Sequence, residues 1–380
     1  MAMRGSETTF YRPVRNYPES LPQEAFQLQS PPNTPQKQSG GAMLLQFLYP
    51  LSGILMTIVM VTSTTLSGGS SNLLLIIIES AIIPFSIIIM FLSTYIQRRT
   101  VKQAHNVEKQ GYKGYLENVK RRLNEIVKLQ TLYYARLYPD PQRLLELAMQ
   151  RQVLWERRPS DEDFLSTRVG LAPTTLCCQV TFQEDYKANY TPGLLQDARD
   201  LVTRYSHVDA QPLVIPLGQL GTISVTGPRQ AVTALVRALL AEIVTFHAAS
   251  EVRIVGYFPT YAALEWSWLK WTPHTRRLRP VQTLQPGDPE MYSMLADSIE
   301  SLQIILETQI GPELEQRHKF NEEKKTPDSS QAAQRARIPH LLVILDNYTH
   351  SGPLSRVPGL EELMGGSEAL GITVLCLCPT

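Results

Sequence analysis

The sequence predicts an α/β protein in which a two-helix transmembrane hairpin and a helical stalk precede a parallel-sheet domain. Three observations predict it. Two long apolar runs, Met43–Leu66 and Leu73–Ile96, are separated only by Ser67-Gly68-Gly69-Ser70-Ser71-Asn72. Apolar residues at Leu116, Val119, Leu123, Ile126 and Tyr133 then recur at 3-4 spacing. Beyond residue 154, continuous apolar runs alternate with helix-spaced stretches, the pattern of a parallel sheet covered on both faces.

Residues 1–41 are rich in Pro, Gln and Ser and are expected to be a disordered cytoplasmic head. Residues 42–97 form the hairpin, with spans at 43–66 and 73–96, each long enough for the roughly 20 apolar residues that cross a bilayer. Arg4, Arg12, Arg15 and Lys37 precede the first span, and Arg98, Arg99 and Lys102 follow the second. Such flanks stay inside, so a cytoplasmic-membrane location with both termini cytoplasmic is expected. Glu79 is the one acid within a span, and Pro50 and Pro84 are the two prolines.

Residues 98–153 read as the stalk. Between Arg98 and Arg136 ten basic residues stand against three acids, Glu108, Glu117 and Glu125, which favours anionic headgroups near the membrane. Gly111 and Gly114 are expected to interrupt the helix. The apolar seam of Leu116, Val119, Leu123 and Ile126 is expected to bind a partner helix. Tyr138-Pro139-Asp140-Pro141 stops it, and a shorter helix follows from Gln142 to Val153.

The remainder, 154–380, alternates strand and helix. Arg168–Leu171, Cys177–Phe182, Thr222–Val225, Arg253–Phe258, Leu341–Leu345 and Ile372–Leu377 read as strands. Helices are expected at Pro192–His207, from Gly227 through Phe246, at Met291–Ile310 with a stop at Gly311-Pro312, and at Gly359–Met364. Glu315–Arg337 reads as a polar flexible loop.

Total charge is balanced, with Lys+Arg 36 against Asp+Glu 35, which argues against a nucleic-acid binder. Cys177, Cys178, Cys376 and Cys378 have poor metal spacing and read as structural thiols, and no metal site is expected.

A strand, a glycine turn and a helix form the setting of a phosphate-binding loop. The pattern G-x-x-x-x-G-K-[ST] laid on Gly227–Ala234 keeps only its first glycine. Val232 replaces the second, Thr233 replaces the lysine, and Ala234 offers Mg²⁺ no ligand. Arg229 lies within that stretch and does not replace the lysine. Leu342-Val343-Ile344-Leu345-Asp346 matches the apolar strand whose acid holds Mg²⁺, but Asn347 stands where a water-polarising Glu is usual. A degenerate nucleotide site without hydrolysis is expected, and no cofactor in this chain.

Leu154-Trp155-Glu156-Arg157-Arg158-Pro159-Ser160-Asp161-Glu162-Asp163-Phe164-Leu165, then Arg168-Val169-Gly170, resembles the start of the cytosolic region of EccC. EccC is the FtsK/SpoIIIE-type membrane ATPase of type VII (ESX) secretion systems. Thr9-Phe10-Tyr11-Arg12-Pro13, Gly227–Ala231 and Trp266-Ser267-Trp268-Leu269-Lys270-Trp271-Thr272-Pro273-His274 agree in order, the last resembling W-x-W-x-K-W-x-P-H. By resemblance the signature residues are Trp155, Arg157, Pro159, Asp161, Phe164, Trp266, Trp268, Lys270, Trp271 and His274.

The resemblance implies a RecA-like pseudo-ATPase domain in the N-terminal part of an oligomeric secretion motor. It further implies EccB and EccD as membrane partners. ATP and Mg²⁺ would serve only later motor domains, through which WxG-type substrates would be met. The chain ends at Thr380 straight after an apolar strand, so it is expected to be truncated or one product of a split gene. The alternatives are an active FtsK-type ATPase or DNA translocase, and a membrane sensor.

Overall fold

The computed structural model describes residues 12–15, 17–35, 53–56, 58–59, 62–63, 66, 73–151, 153–278, 291–323, 338–365 and 368–380. Most of the first predicted span, its connecting loop, Thr9–Tyr11 and 324–337 lie outside these residues, as does the Glu79 side chain. Among the described residues no helix is long and apolar enough to cross a membrane.

The elements in chain order are β1 (Phe26–Leu28), α1 (Leu73–Leu137), α2 (Pro141–Gln150), β2 (Ser166–Thr175), β3 (Val180–Phe182), α3 (Pro192–Arg204) and β4 (His207–Pro216). There follow β5 (Thr222–Gly227), α4 (Arg229–Phe246), β6 (Val252–Tyr257), short helical turns over 260–275, β7 (Arg276–Leu278), β8 (Met291–Ser293) and β9 (Leu295–Ala296). Then come α5 (Ile299–Ile305), α6 (Gly311–Glu323), β10 (His340–Leu345), α7 (Leu360–Met364) and β11 (Ile372–Pro379). The chain divides into two compact units, one of residues 1–20, 131–174 and 209–380, the other of 21–130 and 175–208.

The first unit is built on a five-stranded sheet in the order β5-β11-β10-β6-β9, with parallel pairing throughout. Its central strands are apolar on both sides because both sides are covered. Leu341, Val343 and Leu345 join Ile372, Val374 and Cys376 beneath Leu302, Ile305, Leu306 and Leu363. Leu342 and Ile344 face the other way, with Ile254, Leu375 and Leu377, beneath Val232, Val236, Leu240, Ile243 and Trp266. The alternation follows from the two-residue strand period.

In the second unit α1 runs unbroken through Gly111 and Gly114, contrary to the predicted interruption. Leu116, Val119, Leu123 and Ile126 are buried, but by this chain rather than by a partner. Leu194, Ala198 and Leu201 of α3, Leu28 of β1, and Tyr205 and Val208 complete their cluster. An apolar seam needs a cover, and residues 175–208 supply it.

Four more expectations change. Residues 12–35 are not a featureless head: β1 pairs in parallel with β3, and Arg12 and Arg15 make ion pairs. The helix expected from Met291 begins only at Ile299, where Ser298 forms a capping box with Ser301. It is not stopped by Gly311-Pro312, since a π-helical turn at Leu306–Ile310 leads into α6. A widened turn of this kind tolerates the missing Pro312 N–H. The loop expected from Glu315 is therefore helical as far as Glu323.

Candidate functional site

In an open parallel sheet, ligands bind beyond the carboxyl ends of the strands. Gly227 ends β5 and Asp346 follows β10, with β11 between them. The predicted pair therefore does meet at one edge. What lies between them differs from a phosphate-binding loop.

The strand-to-helix connection is very short. β5 ends at Gly227, Pro228 is the N-cap, and α4 starts at Arg229. Gly227 has a φ of 152°, which bends the chain directly into the helix. Residues 229–234 are thus helical, and the Ala231 and Val232 N–H groups are held by the Pro228 carbonyl rather than free to wrap a phosphate. Val232 is buried against the sheet, Thr233 is buried with its hydroxyl unpartnered, and Ala234 is exposed.

Arg229, expected in a loop, is the first residue of α4 and crosses to the acid. Its Nη1 donates to Asp346 Oδ1 at 2.5 Å and its Nη2 to Asp346 Oδ2 at 2.7 Å. Nη2 also donates to Glu265 Oε2 at 2.6 Å. Trp266 Nε1 donates to Asp346 Oδ2 at 2.9 Å, and the Arg229 guanidinium lies 5.8 Å from the Tyr261 ring centre. The hydrogen bonds to Asp346 raise the Arg229 pKa further. Asp346 is fully buried, so its carboxylate depends on these donors. Asn347 is exposed in the left-handed region at φ 61°.

Glu265, Tyr261 and the role of Trp266 were not marked by any motif. Trp266 stacks on Phe258 at 4.6 Å, so it is both core and carboxylate donor. The rest of its signature scatters. Trp268 is half-buried, His274 is buried with Nε2 on the His247 carbonyl at 2.8 Å, and Lys270 is exposed, 5.3 Å from the exposed Trp271 ring.

The earlier signature is a structural hub. Trp155 Nε1 donates to the Val244 carbonyl at 3.1 Å, and buried Arg157 donates to the carbonyls of Ser166 (2.7 Å) and Leu137. Arg157 also faces Asp163 at 3.4 Å and Glu242 at 3.5 Å. Burial pushes the Glu242 pKa up to about 7 against the pull of Arg157. Asp161 and Asp163 hold Arg15 at 2.7 and 2.5 Å, and Glu251 holds Arg12 at 2.6 Å. Phe164 meets the His247 ring edge-on at 5.1 Å, and Pro159 is exposed. All four cysteines are free thiols, and burial raises Cys178 to about 11 and Cys376 to about 12.

No family model matches the chain. Curated relatives do. Over 336 residues it is 27% identical to the ESX secretion system protein EccC of Thermomonospora curvata, covering 88% of this chain and 24% of that one. The chain resembles EccC. It is also 26% identical to the ESX-4 secretion system protein EccC4 of Mycobacterium tuberculosis over 276 residues, 72% of this chain and 22% of that one. Identity to the type VII secretion system protein EssC of Staphylococcus aureus is 24% over 190 residues, 49% of this chain and 13% of that one. The chain spans about a quarter or less of the length of these relatives.

Proposed function

We propose that this chain works in type VII protein secretion as a membrane-anchoring and coupling component, linking motor domains to a membrane channel. Its parallel-sheet unit acts as a RecA-like relay without nucleotide chemistry. The observation that carries this is Arg229 seated across Asp346, with helix α4 starting two residues after Gly227. A triphosphate needs a run of free N–H groups, and Mg²⁺ needs a free carboxylate. Here the short turn into the helix leaves no extended run, with Ala231 and Val232 bonded to Pro228, and a guanidinium occupies the carboxylate. Asp346 and Glu265 together exceed Arg229 by one negative charge, which repels a phosphate chain.

The likeness to EccC and EssC supports the secretion context. The apolar runs of the sequence support the anchor, and Phe85, Ile88, Phe91 and Leu92 stand exposed on α1. Partners of the EccB and EccD type fit that setting. The test is calorimetry of the purified full chain with MgATP. Negligible heat is expected, and micromolar binding that disappears in Asp346→Ala would refute the relay. Release of the chain from membranes by alkaline carbonate would refute the anchor.

A further inference from the structure

The amino-terminal edge of the sheet, opposite Gly227 and Asp346, gathers three guanidiniums on one carboxylate. Buried Glu313, in the first turn of α6, accepts from Arg317 Nη2 on Oε1 at 2.7 Å. Its Oε2 accepts from Arg253 Nη1 at 2.5 Å and faces Arg277 Nη1 at 3.5 Å.

Arg317 is a structural partner. It is buried, and its other donors reach the carbonyls of Leu370 (2.7 Å), Gly371 (3.2 Å) and Pro339. Arg317 and Glu313 therefore neutralise each other. That leaves Arg253, at the start of β6, and Arg277, in β7, without a counter-charge of their own among the described residues. Arg277 also donates to the Gln309 carbonyl at 2.5 Å, and Arg253 has no further side-chain partner among the described residues. Burial, then the charge of Arg253, lowers the Arg277 pKa. The two side chains are 18% and 32% exposed, so they are partly desolvated yet reachable. Two like charges at one oxygen, half out of water, are costly without an anion.

We propose that Arg253 and Arg277 form an oxyanion site, binding a phosphate-class or carboxylate group through their remaining forked N–H donors. Guanidiniums suit this because they present paired donors to two oxygens at once. Glu313 fixes both forks, and with Glu313 and Arg317 cancelling, the two positive charges left over are balanced by one dianion or two monoanions. The site shares no residue with the Arg229–Asp346 cluster, so it stands or falls separately from the relay reading.

The test is phosphorus NMR of inorganic phosphate with the purified full chain, followed by competition with acetate. Saturable line broadening is expected, weakened about tenfold or more in Arg277→Gln and in Arg253→Gln, the loss of one charge-assisted fork. Displacement by acetate assigns the site to carboxylates as well, and failure to displace assigns it to phosphate. Urea melts show whether each variant is folded. If a Gln variant is not folded, Arg277→Lys keeps the charge and loses the fork, and it should bind about tenfold more weakly. The proposal is overturned if the native chain binds neither anion, or if phosphate binding is unchanged in the folded variants.

Discussion

Arg229 and Asp346, 117 positions apart in the chain, lie fork to fork with both carboxylate oxygens taken at 2.5 and 2.7 Å. The pair joins the start of α4 to the end of β10 across the intervening β11. It occupies the carboxyl-terminal edge of the sheet, and it does so with a residue from the stretch on which the phosphate-binding pattern was laid.

Removing Arg229 should expose how much Asp346 relies on it. Arg229→Met leaves a buried carboxylate with Trp266 as its remaining side-chain donor. Because the arginine is 28% exposed, we expect a loss of about 2 kcal/mol, below the range for fully buried pairs. Arg229→Met with Asp346→Asn should lose less than the sum of the single changes. Urea midpoints in a double-mutant cycle measure this, and additive losses would contradict the coupling.

The α1 seam should behave as core. Leu123 is wholly buried in the cluster it shares with Leu194, Ala198 and Leu201. Leu123→Ala is expected to cost about 3 kcal/mol in the chain alone. Equal stability of the variant and the native chain, without any partner present, would show that the seam is not filled internally.

Gly256 couples β6 to the site through crowding. A Cβ there would fall 2.2 Å from Phe258 Cε2 and 2.7 Å from Cζ. Phe258 stacks on Trp266, which in turn holds Asp346. Gly256→Ala should therefore push Phe258 off the indole and cost about 1–3 kcal/mol. A shift in tryptophan fluorescence is the readout, and an unchanged spectrum with unchanged stability would rule this out.

Acid should weaken the first unit. Burial lowers the His274 pKa to about 4 and, with Arg317 adding to it, the His340 pKa to about 4. Burial also holds His247 well below its usual value, and its Nε2 accepts the Leu165 N–H at 3.0 Å. Unfolded histidine protonates near pH 6.5, so the unfolded chain takes up these protons first. The stability they contribute is present above that pH and is lost as pH falls toward 4. Glu242, raised to about 7, works the other way: its contribution is present at low pH and is lost as pH rises through about 7. Burial raises Glu156 as well, while Asp161 is lowered by its hydrogen bonds despite burial. Two acids thus oppose three histidines and one aspartate, and the net effect is loss on acidification. In His274→Gln the slope of stability against pH between about 6 and 5 should shrink by about 1.4 kcal/mol per unit. Parallel pH profiles would refute the assignment.

The strands were legible where burial on both faces made them continuous apolar runs, as at Leu341–Leu345 and Ile372–Leu377. Their order was not, because no residue in β11 says that it inserts between β5 and β10. Met291, Leu295, Ile299, Leu302 and Ile305 carry helical spacing, so β8 and β9 were read as helix. The departures from the phosphate-binding pattern were visible at Val232, Thr233 and Ala234, but the Arg229–Asp346 pair was not. Which acid Arg229 reaches depends on a fold that brings distant residues together. The stalk seam was correctly apolar, and only its cover, drawn from residues 175–208, was hidden.

The position of β11 constrains how the chain can be made. A nascent polypeptide that has left the ribosome only as far as residue 365 holds β5 and β10 with the strand between them still unmade. Both then present open edges, with their apolar residues uncovered, until residues 372–379 emerge. Stalling within this window should send the chain to chaperones or aggregates, whereas emergence of residues 372–379 should close the sheet in one step.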